Sequence, residues 1–267
     1  MKKLLLLVLC FAFMVSCKNP LEQITDSFEA NTDYAIQSTE KGKILLRFKP
    51  EVGHKTTTML KFEVKPQGIF PTLDSEIIAD FKMRVASVSD SGNICHIDFQ
   101  RFRMSTDLMG AKVKYDSQSN ENSLPEAMTN EIQKLLGKKA VLLVDTLAQV
   151  QSFQIDEVSN MNSKGSLNMN SQFVSFPEKA LAVGDSWVAK QSIEALGEVS
   201  INYTLDKVSD NEIVIQVKNG EETVKERTMK GQYLLDRKSG FIKKGELNIE
   251  DKSKKVDINL NIVSTIE

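Results

Sequence analysis

The amino-acid sequence predicts a mainly β (α+β) fold, in which two related, curved antiparallel sheets or half-barrels carry one well-defined covering helix near 124–136. Three observations support this prediction. Apolar and polar residues alternate along most of the chain, one segment carries start and stop signals for a helix, and short motifs recur at a fixed spacing.

The alternation is clearest at 256–262, where valine, isoleucine and leucine are interleaved with aspartate and asparagine. Successive side chains of a strand point to opposite faces, so this pattern indicates antiparallel sheet with one buried face. The same alternation predicts strands at 95–99, which places Cys95 in the core, and at 201–205 and 213–217. We expect further strands at 43–49, 55–65, 76–89, 111–115, 140–145, 150–154, 186–195, 223–236 and 241–250.

The helix prediction depends on residues 123–137. Ser123-Leu124-Pro125-Glu126 matches the capping-box pattern, with proline in the first turn. One apolar stripe follows, made of Met128, Ile132, Leu135 and Leu136, and Gly137 ends it. We expect this stripe to close one open side of the sheet.

Two halves of the chain carry the same landmarks. Val52-Gly53-His54 precedes a Val-Ser-Asp turn at 88–90, and Val183-Gly184-Asp185 precedes another at 208–210. The Val-Ser-Asp turns lie 120 residues apart, as do Asp-x-x-Ser turns that begin at Asp116 and Asp236. An extra hairpin around 65–76 accounts for the longer offset between the glycines. Chance similarity of short turn motifs is the alternative to related halves.

Residues 1–16 are predicted to be a signal peptide, with two lysines before an apolar run that is too short to span a bilayer. Met14-Val15-Ser16-Cys17 resembles a bacterial lipobox, so we expect lipidation of Cys17 and a polar tether over 17–33. An ordinary secretory signal with an incidental cysteine is the alternative. Lys18 resembles the sorting residue of outer-membrane lipoproteins, which predicts an outer-membrane protein facing the periplasm or the cell surface.

Beyond the tether we expect a β-rich half with the helix (34–155), a polar loop (156–172) and a second β-rich half (173–267).

Composition excludes several classes of function. The 267 residues include 34 Lys and Arg against 36 Asp and Glu, so no basic excess is present for nucleic-acid binding. Two histidines and no paired cysteine motif predict neither a metal centre nor a disulfide framework. The chain also lacks a glycine-rich phosphate-binding turn, so we expect no cofactor.

The most distinctive string is Val-Gly-Asp-Ser-Trp at 183–187. In a functional interpretation, Asp185 and Ser186 are polar groups beside the aromatic Trp187 at the mouth of a pocket. In a structural interpretation, which we favour, they form a tight turn and the tryptophan enters the core.

No arrangement of residues in the sequence predicts catalysis. A serine nucleophile requires a nearby base, yet His54 and His96 are the only histidines and no Gly-x-Ser-x-Gly motif occurs. The acidic pairs Glu221-Glu222 and Glu250-Asp251 lie in predicted turns among lysines, which is typical of solvated charge. We therefore name no catalytic residue.

The segment 176–187, Phe-Pro-Glu-Lys-Ala-Leu-Ala-Val-Gly-Asp-Ser-Trp, resembles an element of a family of uncharacterised bacterial lipoproteins. That family also has an early Phe-x-x-Gly strand pair, a mid-chain helix and an Asp-x-x-Gly-x-Val turn. This turn reads Asp-Thr-Leu-Ala-Gln-Val at 145–150, with Ala148 in place of glycine. The resemblance covers most of 43–250. It implies a β-rich outer-membrane lipoprotein and no known activity.

Methionine and phenylalanine side chains could line an adaptable apolar cavity between sheet and helix, although ordinary core filling explains them equally well. These residues are Met83, Met104, Met109, Met128, Met161, Met169, Met229, Phe62, Phe81, Phe99 and Phe102. We expect a lipid-anchored protein that binds a hydrophobic molecule or an envelope protein without catalysis. A hydrolase acting on envelope glycan or lipid is the alternative.

The lipobox predicts that Cys17→Ala releases the protein from membranes, because the cysteine sulfur is the attachment point of the anchor. Membrane and soluble fractions of cells are compared by immunoblot. Cys10→Ala, within the signal peptide, is the matched control and should leave the protein in the membrane fraction. Retention of the Cys17 variant in that fraction would refute lipidation.

Overall fold

The computed structural model describes residues 36–38, 42–67, 74–108, 111–119, 122–155, 169–193, 196–219 and 226–267. Its strands are β1 (Ile36–Ser38), β2 (Ile44–Leu46), β3 (Lys55–Pro66), β4 (Ser75–Ser89), β5 (Gly92–Leu108), β6 (Ala111–Asp116), β7 (Lys139–Val144), β8 (Val150–Ile155), β9 (Ser186–Ile193), β10 (Gly197–Val208), β11 (Glu212–Asn219), β12 (Arg227–Asp236), β13 (Ile242–Asp251) and β14 (Val256–Ile266). The helix α1 spans Glu126–Leu135, and a 3-10 turn spans Met169–Gln172. None of the helices in these ranges is long and apolar enough to cross a membrane.

Strands β3 to β14 form one antiparallel sheet of 12 strands. Its order is β8-β7-β5-β4-β3-β14-β13-β12-β11-β10-β9, and β6 pairs with the second half of β5. The mainly β prediction is correct, but the prediction of two sheets or half-barrels is wrong. Strand β14 pairs with β3 on one side and β13 on the other, so the two halves share one hydrogen-bonded sheet.

The helix forms within the predicted range, but the prediction that it covers the sheet is wrong. Among its described side chains, Leu135 is buried and Ile132 is partly buried against the core. A helix of 10 residues is about 15 Å long. It reaches across only about three strands at their usual spacing, so it cannot cover a sheet of this width.

The capping box is also absent. Pro125 precedes the helix and no side chain caps its first turn. The Ser123 hydroxyl instead accepts a hydrogen bond from the Lys114 N–H at 2.8 Å and donates one to the Lys114 carbonyl at 3.2 Å. A serine hydroxyl can form a hydrogen bond with any nearby backbone group. The hydroxyl of Ser123 bonds to the backbone of β6 rather than to the first turn of the helix.

The two halves of the chain share one order of strand pairing. Gly53 donates its N–H to the Val85 carbonyl at 2.9 Å, and Gly184 donates to Leu205 at 2.7 Å. Both glycines have positive φ angles, 87° and 95°, which favour glycine. Each half has a bulge immediately after the accepting residue, at Ala86 and Asp206. Strands β3, β4, β5, β7 and β8 therefore correspond to β9 through β13.

One sequence landmark was matched to the wrong partner. Asp116 ends β6, which pairs with the second half of β5, whereas Asp236 ends β12 opposite the start of β11. The true counterpart of Asp236 is Asp145. Val144 pairs with Asn93 at the start of β5, as Leu235 pairs with Ile213 at the start of β11. An aspartate can satisfy the backbone of many tight turns, so its recurrence alone does not establish equivalence.

The first half contains an insertion, defined here as residues 100–138. It comprises the second half of β5, then β6 and α1, whereas residues 220–226 alone connect β11 to β12 in the second half. The sequence did not predict the second half of β5, because a bulge at Gln100 shifts the apolar side chains from Phe99 to Phe102 and breaks the alternation.

The sheet curls until its two edges meet the same segment. The 3-10 turn contacts both edge strands, β8 and β9. Further along, the Phe176 N–H donates to the Leu147 carbonyl at 2.8 Å, and Gln191 Nε2 donates to the Phe173 carbonyl at 3.3 Å. The segment 169–181 therefore spans the gap between the first and last strands. The face of the sheet that carries the core is called the inner face, and the other is the outer face.

One end of the curled sheet, here called the closed end, is filled by aromatic side chains. The ring of Phe48, which follows β2, packs edge-on against Phe173 and Phe241 at centroid distances of 5.2 and 4.9 Å. Its carbonyl accepts a hydrogen bond from Asn93 Nδ2 at 3.0 Å. These contacts join the first residues of the fold to both halves of the sheet.

A buried ion pair fixes the turn between β13 and β14. Arg227 donates through Nε and Nη2 to Asp251 Oδ2 at 2.9 and 2.7 Å, while Ser253 Oγ and the Lys254 N–H donate to Oδ1. Asp251 is fully buried, 0% exposed. Burial raises its pKa, but hydrogen bonds from Ser253, Lys254 and Arg227 more than offset this and lower the pKa to about 2. The prediction that Glu250-Asp251 is a solvated pair is wrong for Asp251.

Asp251→Asn should destabilise the fold by about 3–5 kcal/mol, because it leaves the Arg227 guanidinium buried without its counter-charge. The folded pKa of Asp251 lies below its ordinary value of 3.8. The ionised carboxylate therefore stabilises the fold at neutral pH, and this contribution is lost as the pH falls from about 4 to about 2. Urea unfolding measured across this pH range should show a weaker acid dependence in the variant.

Glu250→Gln is the matched control, since this neighbouring carboxylate is partly exposed and sits 3.8 Å from Lys252. We expect a change of less than about 0.5 kcal/mol there. Equal losses in the two variants would contradict a special role for the buried pair.

Candidate functional site

The side chains of Asp185 and Ser186 both form hydrogen bonds that are part of the local fold. Asp185 Oδ2 accepts a hydrogen bond from the Ala182 N–H at 2.8 Å, and its own N–H donates to the Ala182 carbonyl at 3.0 Å. The Ser186 hydroxyl is bonded to Thr204 Oγ1 on the neighbouring strand β10 at 2.9 Å. The two side chains thus hold the turn before β9 and the start of that strand.

Trp187 lies in the core with 7% of its surface exposed. Its ring stacks on Tyr203 with centroids 5.4 Å apart, and its Nε1–H donates to the Ser175 carbonyl at 2.8 Å. Tyr233 continues this aromatic cluster at 6.4 Å from Tyr203. Burial raises the pKa of both tyrosine hydroxyls, so they stay protonated. Trp187 therefore attaches the segment that spans the sheet edges to the inner face.

The structure does not bring the histidines together with Asp185 or Ser186. The His54 ring lies 5.5 Å from Phe241 at the closed end, and burial lowers its pKa. His96 is exposed on the outer face, opposite Arg84 and Val141. Within the described ranges, no group of three or more histidine, cysteine, aspartate or glutamate side chains could hold a metal ion.

Cys95 is a core residue. It is fully buried between its strand partners Val85 and Leu142, and burial raises its pKa to about 12. The thiol is therefore uncharged at neutral pH and contributes apolar packing. Cys17, Glu221 and Glu222 lie outside the described residues.

Most of the methionine and phenylalanine side chains singled out in the sequence fill the core. Met83, Met169, Met229, Phe81, Phe99 and Phe102 are buried. Phe62 and Met104 differ, because they are only partly buried while packing against the core. Met109 and Met161 lie outside the described residues, as does the side chain of Met128.

The partly buried residues form a continuous line, here called the apolar row, made of Phe62, Ile77 and Met104. These residues are direct partners on β3, β4 and β5 and share the inner face. All three are half-buried, and Leu60 and Val64 flank Phe62 on the same face of β3. The inner face is buried at one end of these strands, as at Thr58 and Phe81, and is partly open along the apolar row.

The outer face of the same strands carries paired charges. Lys61 contacts Glu76 at 2.6 Å, and Arg103 contacts Asp80 at 2.8 Å. Arg101 forms a third pair with Asp116, whose pKa this hydrogen bond lowers to about 2. These charges pair with one another across the outer face, whereas the apolar row lies on the inner face of the same strands.

Sequence reasoning did not single out the apolar row. Phe62 and Met104 are among the cavity candidates, whereas Ile77 falls only within the predicted strand at 76–89. Alternation of apolar and polar residues does not distinguish a fully buried position from one at the limit of the core. That distinction depends on which other segments cover the strand.

The fold and the candidate site define a β-sheet protein with a partly open row of apolar side chains on its inner face. Residues 156–242 match the model of a family of unknown function, DUF6263. The matched part includes β9 to β12 and the Phe-Pro to Ser-Trp segment, so this portion is similar to an uncharacterised domain. A comparison with curated proteins finds no match.

Trp187→Ala should destabilise the fold by about 3–5 kcal/mol, because it removes a buried ring and leaves a cavity. Val188→Ala is the matched control, since the adjacent side chain is 54% exposed. We expect that variant to change stability by less than about 0.5 kcal/mol. Chemical unfolding of both variants checks this, and a loss below 1 kcal/mol for Trp187→Ala would contradict its core role.

Proposed function

We propose that this chain is an outer-membrane lipoprotein that binds an apolar molecule on the apolar row, without catalysing a reaction. The observation that carries the proposal is the half-buried state of Phe62, Ile77 and Met104, which are neighbours on the inner face of three paired strands. Three large apolar side chains aligned across three strands offer a continuous contact surface.

The energy available from such a surface is useful for binding. Each ~100 Å² of apolar surface removed from water contributes about 2.5 kcal/mol. A hydrocarbon chain lying across three neighbouring strands would cover parts of all three side chains. The strands themselves are held by the sheet, so little ordering of the protein opposes binding.

The chemistry of the row suits adaptable contact. Met104 has a flexible, polarizable thioether, and Phe62 contributes a flat ring. These side chains supply neither a nucleophile nor an acid or base. Such a surface favours recognition of hydrocarbon by shape and apolar area, and a binding role follows more directly from it than a hydrolytic one.

The proposed membrane attachment derives from Cys17 and the tether after it. The described fold begins with β1 and β2, and Phe48 just after β2 lies in the closed end. Strand β3 then runs from the closed end toward the apolar row. Residues 18–33 extend at most roughly 50 Å. The described fold therefore begins at the end of the sheet opposite to the proposed site.

Ile77→Gln should weaken binding of an apolar fluorophore, N-phenyl-1-naphthylamine, by at least about 10-fold, because a polar amide replaces the centre of the contact surface. Fluorescence titration of the purified protein measures the affinity. Ile78→Gln is the matched control, because Ile78 is the next residue of the same strand, is also half-buried and lies on the outer face. Its affinity should equal that of the unsubstituted protein.

Three results would overturn this proposal: no fluorophore binding by the unsubstituted protein, equal losses in the two variants, or full binding by Ile77→Gln. Melting temperatures of both variants establish that they fold. Native mass spectrometry of protein purified without added ligand shows in parallel whether an apolar molecule is retained from the cell.

A further inference from the structure

We propose that the Tyr115 hydroxyl binds an uncharged oxygen in the head group of the ligand. This inference rests on the proposed function and narrows the ligand to a class. The ligand would be a hydrocarbon chain that ends in an ester or an alcohol, rather than a plain hydrocarbon or a fatty-acid anion.

Tyr115 lies at the end of the apolar row. It belongs to β6, within the insertion, and is the direct strand partner of Met104 on β5. Its side chain therefore shares the inner face with Phe62, Ile77 and Met104, next in line after Met104. A molecule that covers the row from β3 to β5 would reach Tyr115 on the following strand.

The Tyr115 hydroxyl is buried without a hydrogen-bond partner among the described residues, and the side chain is 2% exposed. A buried hydroxyl normally has a partner, because leaving it unpaired forfeits its bonds to water. The neighbouring inner-face hydroxyls of Ser75 and Thr106 satisfy each other at 2.9 Å. Tyr115 thus offers an unused donor beside the proposed hydrocarbon site.

The electrostatics of this position favour a neutral head group. Burial raises the pKa of Tyr115, and the nearby Asp116 carboxylate raises it further, so the hydroxyl remains a proton donor at neutral pH. A fatty-acid carboxylate would lose its hydration and gain only one neutral hydrogen-bond donor, near the negative charge of Asp116, so its binding is disfavoured. A plain hydrocarbon would leave the hydroxyl unpaired. An ester carbonyl or an alcohol oxygen accepts the bond without bringing a charge.

The test compares competitors of equal chain length. Decane, decanoate and methyl decanoate displace N-phenyl-1-naphthylamine from the purified protein, and the fluorescence loss gives each affinity. We expect the ester to bind more tightly than either of the others. In Tyr115→Phe, the affinity for the ester should fall about 3- to 10-fold, as for the loss of one hydrogen bond, while the fluorophore and decane bind as before.

Tyr203→Phe is the matched control. Its hydroxyl is also buried without a partner among the described residues, but it lies in the aromatic cluster with Trp187 in the second half of the sheet. This variant should bind all three competitors like the unsubstituted protein. Thermal unfolding of both variants shows that each is folded.

The outcomes separate the two proposals. If the fluorophore does not bind the unsubstituted protein, the proposed function itself fails. If it binds, but Tyr115→Phe leaves the ester affinity unchanged, the head-group inference is overturned and the hydroxyl has another partner, such as a buried water. Equal or tighter binding of decanoate or decane than of the ester by the unsubstituted protein also overturns it, without reliance on any variant.

Discussion

Strand β14 pairs with β3 on one side and with β13 on the other, and this double pairing joins the two halves of the chain into one sheet. Without it, β3 to β8 and β9 to β13 would be two separate meanders, and β3 and β13 would each have an unpaired edge. The register places Ile258 opposite Val64 on one side and Ile249 on the other, so all apolar faces point the same way. A continuous sheet with one apolar face can bury that face by curling around it, and the segment 169–181 bridges the edges that this curl brings together.

The insertion distinguishes the first half from the second and supplies Met104, one of the three residues of the apolar row. The second half packs Trp187, Tyr203 and Tyr233 into a filled aromatic cluster. The first half instead extends β5 and adds β6 and α1, and this addition contributes Phe102, Tyr115 and Leu135 to the core. Strands β3, β4 and β5 carry paired charges on the outer face and half-buried apolar side chains on the inner face. A stable sheet and an accessible apolar surface thus coexist, because the charges and the hydrocarbon lie on opposite faces of the same strands.

Much of the strand content could be predicted because period-two alternation is a local property of the chain. The predicted strand at 55–65 and the observed β3 differ by one residue, and Cys95 lies on the core side as expected. Prediction from the sequence was wrong where a side chain had several possible hydrogen-bond partners, or where a bulge changed the alternation of apolar and polar residues. Ser123 bonds to β6 rather than capping α1, Asp251 is buried with Arg227 rather than solvated, and the bulge at Gln100 concealed half of β5.

Antiparallel strands could be predicted from the sequence alone, because the alternation of apolar and polar side chains is a local property of the chain. The single sheet and the partly open state of Phe62, Ile77 and Met104 emerge only in the tertiary structure. Hydrogen bonding between strands distant in the chain has no local signature, because any exposed strand edge can accept any other. The exposure of an apolar residue likewise depends on what packs over it, which its neighbours in sequence do not specify.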